Sequence, residues 1–242
     1  MTLQLGSNEL SVIVPLLNEL PLVQKNLASW IKITSLPRVR LVISDSGSTD
    51  GTIEYLSQFL QSQQMPMFSL VLKEYLGSPS VGRTIQQCLN QTSSQIRMVL
   101  PADVEITADQ IELILQKAKM PSFWGYFKKR FSRDGINYRI LELILNELRS
   151  KFLHQAVWTN VLFWTSDLDA HLPQESFLED VIFCDRLNRF CSPIKIDSKV
   201  LVSTRRYEKD GFFYRFFSNA WILFRFRFFR VSPAQLKKIY LK

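Results

Sequence analysis

Four times between residues 10 and 119, a short continuous apolar run is followed by an amphipathic stretch of helical period. Residues 10–15, 39–44, 68–72 and 96–100 read as buried strands. Residues 19–33, 52–60, 80–90 and 108–119 read as the helices that follow them. Strands that are apolar on both faces need cover on both sides. The alternation therefore predicts an α/β fold, a mainly parallel sheet with helices on both faces. After Met120 the rhythm loosens. Residues 123–131 read as a strand, 136–152 as a helix, 156–164 as one or two strands, 175–190 as a helix and 195–203 as a strand.

Composition narrows the class further. Apolar residues make up 46% and charged residues 21% of the 242 residues, ordinary globular usage that excludes a disordered or fibrous chain. Three widely spaced cysteines and two histidines supply neither a disulfide framework nor a Cys/His zinc site. Reduced thiols, no apolar leader in the first ten residues and no run long enough to span a bilayer point to a cytoplasmic protein.

The charge is uneven. From Lys199 onward eleven Lys/Arg and two acidic residues give a net of +9, against +8 for the whole chain. This tail includes residues 211–230, GFFYRFFSNAWILFRFRFFR, in which Phe and Trp recur at helical spacing among arginines. Two readings stand side by side: a helix lying in an anionic membrane surface, and a helix packed on the domain with its arginines reaching outward. No binding module for nucleic acid is legible, which argues against it as a partner.

In open α/β sheets ligands bind off the carboxyl ends of the strands. Here those ends carry Glu19, Asp45, Asp50 and Asp103. No GxGxxG or GxxxxGK[ST] loop is present, which excludes a Rossmann pocket and a P-loop. Carboxylates in this position suit a nucleotide site: Asp45 and Asp50 for base and ribose, Asp103 for a divalent metal that neutralises a diphosphate. Each also has a plainer role, with Asp50 and Asp103 as caps of the helices that follow.

SVIVPLLNE, LVISDSGSTDGT and VLPADVEIT resemble the nucleotide-binding half of family-2 glycosyltransferases, which have the GT-A fold. The second half resembles the branch found beside radical-SAM or selenodomain proteins in bacteria. The matching stretches there are Val81-Gly82-Arg83, FLEDV from Phe177, STRRYE from Ser203 and VSPA from Val231. The resemblance implies a GT-A-like domain over residues 1–210, with a nucleotide-binding half to about 120 and an acceptor half at 121–210, followed by a helical tail at 211–242. It implies a nucleotide-diphosphate sugar donor, UDP-linked by preference, an Mn²⁺ or Mg²⁺ ion and inverting hexosyl transfer. By residue, it places Glu19, Asp45 and Asp50 at the nucleoside and Asp103 at the metal. Arg83, Arg205 and Arg206 meet the diphosphate, and Asp180, beside Glu179, is the base for the acceptor hydroxyl. The plainer role for Glu179-Asp180 is to favour the dipole of an early helical turn.

The branch has His-Ala-Asp-Thr where this chain has Pro101-Ala102-Asp103-Val104, and Gly-Asp near Ser94-Gln95. Its Gly-Asp-Gln segment appears here as Leu153-His154-Gln155, and Asp167-Leu168-Asp169 stands near its missing glycine-rich turn. These departures leave a second expectation open, a catalytically silent GT-A domain acting as a membrane-associated scaffold.

Overall fold

A computed structural model describes residues 9–62, 68–72, 80–89, 91–117, 119–149, 154–175 and 177–240. β1 (Leu10–Leu16), β2 (Val39–Asp45), β3 (Phe68–Leu72) and β4 (Ile96–Val99) alternate with α1 (Leu20–Ile33), α2 (Thr52–Ser62) and α3 (Val81–Leu89). Then come β5 (Val104–Glu105), α4 (Ala108–Leu115), β6 (Trp124–Phe131), α5 (Ile136–Leu143) and β7 (Phe163–Thr165). The chain ends through α6 (Glu179–Leu187), β8 (Ile194–Val202), α7 (Arg205–Asp210), α8 (Phe212–Phe228) and α9 (Pro233–Tyr240).

The strands form one sheet in the order β3-β2-β1-β4-β7-β6-β8-β5. β1 is parallel to β2 and β4, and β2 to β3, so their carboxyl ends share one edge. β7 runs antiparallel to both β4 and β6, which returns β6 and its parallel neighbour β8 to the direction of β1. The sheet is thus parallel in its first half and mixed in its second.

Alternate residues of β1 feed two cores. Val12, Val14 and Leu16 pack with Leu27 and Trp30 of α1, Leu56 of α2 and Ile111 of α4. Ile13 faces the other way, onto Ile85 of α3 and Phe183 of α6. Both faces are covered, which is why these strands read as unbroken apolar runs.

The second half departs from the sequence reading in three places. Of the one or two strands read at 156–164 only one forms, the three-residue β7, and a 3₁₀ turn at Trp158–Asn160 takes the place of the other. The helix read at 175–190 begins only at Glu179. The helix read at 136–152 is α-helical to Leu143 and continues as a π-helical segment, Ile144–Arg149; residues 150–153 lie outside the described residues. The reason is at the edge of β6. Past Gly125 it has no strand partner on the β7 side among the described residues, and side chains take the ladder's place. Asn146 accepts from Lys129 N–H at 2.9 Å and donates to Lys129 C=O at 2.8 Å. Glu142 accepts from Phe131 N–H, and Asn160 donates to Phe127 C=O.

The tail helix packs on the domain. α8 packs through Phe212, Phe216 and the buried Ile222, and Phe212 meets Tyr138 of α5 at 5.2 Å and Tyr207 of α7 at 5.6 Å. Phe213, Tyr214, Phe217, Trp221, Phe224 and Phe228 stay exposed. α9 starts with a capping box between Ser232 and Gln235 and tucks Leu236 inside. Among the described residues no helix is long and apolar enough to cross a membrane.

Candidate functional site

The loops after β1 and β2 are laced together. Asp45, 1% exposed, accepts from Gly47 N–H (2.9 Å), Ser48 N–H (2.7 Å) and Ser48 Oγ–H (2.6 Å). Its carboxylate therefore folds the turn rather than facing solvent. Gly47 and Gly51 both have φ of +91°, a conformation that the turn requires and that glycine adopts without strain. Asn18 N–H donates to Ser48 Oγ, and Asn18 Oδ1 accepts from Thr49 N–H.

Asp50 caps twice. One oxygen accepts from Leu20 N–H at the start of α1, and the other from Thr52 N–H and Oγ1–H at the start of α2. Its slight burial opposes ionisation, but these hydrogen bonds prevail and hold the carboxyl below the usual range. The plain capping role is thus realised for Asp50. It is not for Asp103, because Thr107 caps α4 and forms a capping box with Gln110.

Asp103 follows β4 and is buried, its backbone C=O accepting from Ser203 N–H after β8. Arg206 Nε lies 3.9 Å from Asp103 Oδ2, and Arg205 Nη2 donates to Glu19 Oε2 at 2.7 Å. Four of the expected site residues, Glu19, Asp103, Arg205 and Arg206, therefore meet at the carboxyl edge of the sheet. A cavity of about 50 Å³ opens beside Asp103, lined also by Asn26, Ser132 and Ser203.

Arg83 is exposed on α3, one residue from Gly82. Gly82 N–H points to Glu179 Oε1 at 3.4 Å, and a Cβ at Gly82 would come within 3.2 Å of Glu179 Cγ. That close approach joins the starts of α3 and α6. Burial raises the Glu179 pKa above the usual range, and the neighbouring Asp180 adds to the effect.

Asp180 is half-buried. It accepts from Val181 N–H at 2.8 Å and Trp158 N–H at 3.3 Å. Burial raises its pKa, against the opposing pull of Arg149, the two N–H groups and Lys129. Lys129, 2% exposed, donates to Thr159 Oγ1 at 2.9 Å. Burial, reinforced by Arg149, pushes its pKa down to about 7, while Asp180 and Asp103 hold it up. Arg149 Nε and Nη2 and Trp158 Nε1 are buried without hydrogen-bond partners among the described residues. The sequence reading missed this cluster. The signal was there in β6: Lys129 falls on the same strand phase as the core residues Phe127 and Phe131.

Other features are structural. Asp169 pairs with the buried Arg97 at 3.2 Å and accepts from Trp164 Nε1–H at 2.8 Å. Cys88 and Cys184 are free and buried, with pKa values pushed up to about 11 and about 12, so neither is a nucleophile at neutral pH. A groove of about 510 Å³ between β6 and α5 is lined by none of the expected site residues. Its walls pair charges among themselves, Lys128 with Glu147 at 3.0 Å and Arg130 with Asp134 at 3.4 Å.

Among the described residues no three metal-ligating side chains cluster. The carboxylate of Asp103 fits a different arrangement, in which a hard divalent ion takes one or two protein carboxylates and the phosphates of its nucleotide.

Comparison with known proteins identifies the family and the fold. The family described as Glycosyl transferase family 2 matches residues 11–167, more than half of the chain. A sequence search of curated proteins finds no match. Among solved structures, the chain is similar to the mannosyltransferase PcManGT from Pyrobaculum calidifontis in complex with GDP-Man and Mn²⁺. The TM-score is 0.60 at 19% identity, over 81% of this chain and 56% of that one. It is similar to TarS 1–349 of S. aureus in complex with UDP, at TM-score 0.62 and 15% identity, over 81% and 60% of the two chains. It is also similar to glucosyl-3-phosphoglycerate synthase from Mycobacterium tuberculosis in complex with Mn²⁺, UDP and phosphoglyceric acid. There the TM-score is 0.57 at 18% identity, over 81% and 69%. The alignments span somewhat over half of the first two of those chains. At these identities the likeness is one of fold: a GT-A sheet with its helices, here carrying a C-terminal helical tail.

Proposed function

The chain belongs to glycosyl transferase family 2, and from that premise we propose that it moves a hexose from a nucleotide-diphosphate donor, UDP-linked by preference, to an acceptor hydroxyl with inversion. The observation that carries the reading is the meeting of Glu19 and Asp103 with Arg205 and Arg206 at the carboxyl edge of the sheet. The complexes of the similar structures with GDP-Man or UDP support a nucleotide donor.

In this reading the turn built by Asp45 and Asp50 and the side chain of Glu19 receive the nucleoside. Arg83, Arg205 and Arg206 meet the diphosphate oxygens, where guanidinium can bind bidentately. Asp103 would hold an Mn²⁺ or Mg²⁺ ion jointly with those oxygens, and the ion would supply charge neutralisation of the leaving diphosphate. Asp180 takes the proton of the acceptor hydroxyl as the sugar transfers, and its raised pKa makes it a stronger base than an exposed aspartate. Glu179 positions α3 against α6 next to it. Residues to about 120 act as the donor half and 121–210 as the acceptor half. The FLEDV and STRRYE stretches support the radical-SAM-associated branch, and the reduced cysteines support the cytoplasm as its site of action.

The test is release of UDP from UDP-hexoses by wild type and Asp180→Asn. Release by wild type, at least about a hundredfold slower in the variant, is the expected result. A second reading, a silent scaffold, draws on the ion pair between Arg205 and Glu19, which occupies both groups. Its mark would be absence of nucleotide binding by the wild type.

A further inference from the structure

α8 shows an unusual division of its surface. Phe212, Phe216 and Ile222 hold it to the body, while Phe213, Phe217, Trp221, Phe224 and Phe228 recur every three or four residues along the opposite side. That spacing puts the five on one helical face. They are between 41% and 74% exposed. An exposed apolar patch of this kind on a folded domain marks an interaction surface.

The charge around it selects the occupant. Arg225 lies over the Trp221 ring at 6.0 Å, and Lys209, Arg230 and Lys238 are exposed nearby in the chain. No acidic residue occurs after Asp210. A second copy would set one +9 segment against another, a repulsive pairing. An anionic bilayer offers both matches at once, acyl chains for the rings and headgroup phosphates for the arginines. α8 has 17 residues, and no described helix can span a membrane, so the helix would lie in the surface plane.

We propose that α8 docks this protein on an anionic lipid surface, with Phe217, Trp221 and Phe224 at the centre of the contact. The proposal does not depend on sugar transfer, because vesicle binding needs no nucleotide.

The experiment uses the full chain and vesicles of phosphatidylcholine with or without about 30% phosphatidylglycerol, read by co-sedimentation and by quenching with brominated lipid. Of the five tryptophans only Trp221 is exposed, the other four being at most 8% exposed, so quenching reports this helix. The expected result is binding to anionic vesicles with Trp221 quenched. Binding should fall at least about tenfold on neutral vesicles or at about 0.5 M salt. It should fall at least about tenfold for Phe217→Ser/Phe224→Ser, whose unchanged circular dichroism would show an intact fold. Failure to bind anionic vesicles, undiminished binding of the double variant, or a lipid-free dimer that shields Trp221 would overturn the proposal.

Discussion

Arg205 Nη2 lies 2.7 Å from Glu19 Oε2 across 186 residues of sequence. The contact ties α7, which follows the last strand, to the residue that precedes α1. It makes the C-terminal segment a wall of the cleft at the strand ends. With Arg206 near Asp103, it sets two cations against two carboxylates at the edge proposed for the nucleotide diphosphate.

This pair is partly open to solvent, so its effect on stability is small. Glu19→Gln should change the unfolding free energy by less than about 1 kcal/mol while altering UDP affinity severalfold. Denaturant titration and calorimetry on one sample check both halves. A large loss of stability would recast the pair as structural.

Asp45 behaves differently. Its buried carboxylate accepts three hydrogen bonds within its own turn. Asp45→Ala should cost roughly 2–3 kcal/mol and lower Tm by about 2–4 °C for each kcal/mol. Nucleotide affinity should fall with it, since Asn18, Ser48 and Thr49 hang on the same turn. Scanning calorimetry that found an unchanged Tm would refute this role.

The pKa of Asp180 is raised by burial, so the base form appears only above the usual carboxylate range. The acid limb of kcat should therefore fall off at a higher pH than for an exposed aspartate. Asp180→Asn should lower kcat by about 10²–10⁴-fold with little change in donor affinity. A pH–rate profile with its acid limb near 4 would argue against Asp180 as the base.

Lys129 gives a test in which the sign is fixed in advance. Its folded pKa is near 7 and its ordinary value 10.5, so between these the unfolded chain binds more protons. Wild-type stability should rise with pH over that window, and Lys129→Met should lose the rise. The same variant removes a cation that favours ionised Asp180, so the acid limb of kcat should move further up. Tm against pH and the rate profile read the two effects separately.

The alternation of apolar runs made the first half of the sheet legible, because strands covered on both faces leave an unbroken hydrophobic signature. β1 to β4 begin at the residues read from sequence, and the differences at their ends amount to one residue. The second half was less so. There β6 satisfies its free edge with Asn146, Glu142 and Asn160, and no residue pattern announces a strand edge closed by side chains. The strand-end carboxylates were legible from the same alternation, but their division of labour was not. Asp45 and Asp50 serve the loops, whereas Asp103 is left without a capping duty by Thr107. Lys129 was visible only as a charge on an inward strand phase, and Arg149 was hidden in a stretch read as plain helix that turns π-helical.

The most direct measurement is calorimetric binding of UDP, with and without Mn²⁺, to wild type and Asp103→Ala. The account predicts metal-dependent binding by the wild type that is lost in the variant. No binding by the wild type to UDP, GDP, CDP or dTDP, or equal metal-dependent binding by the variant, would contradict it.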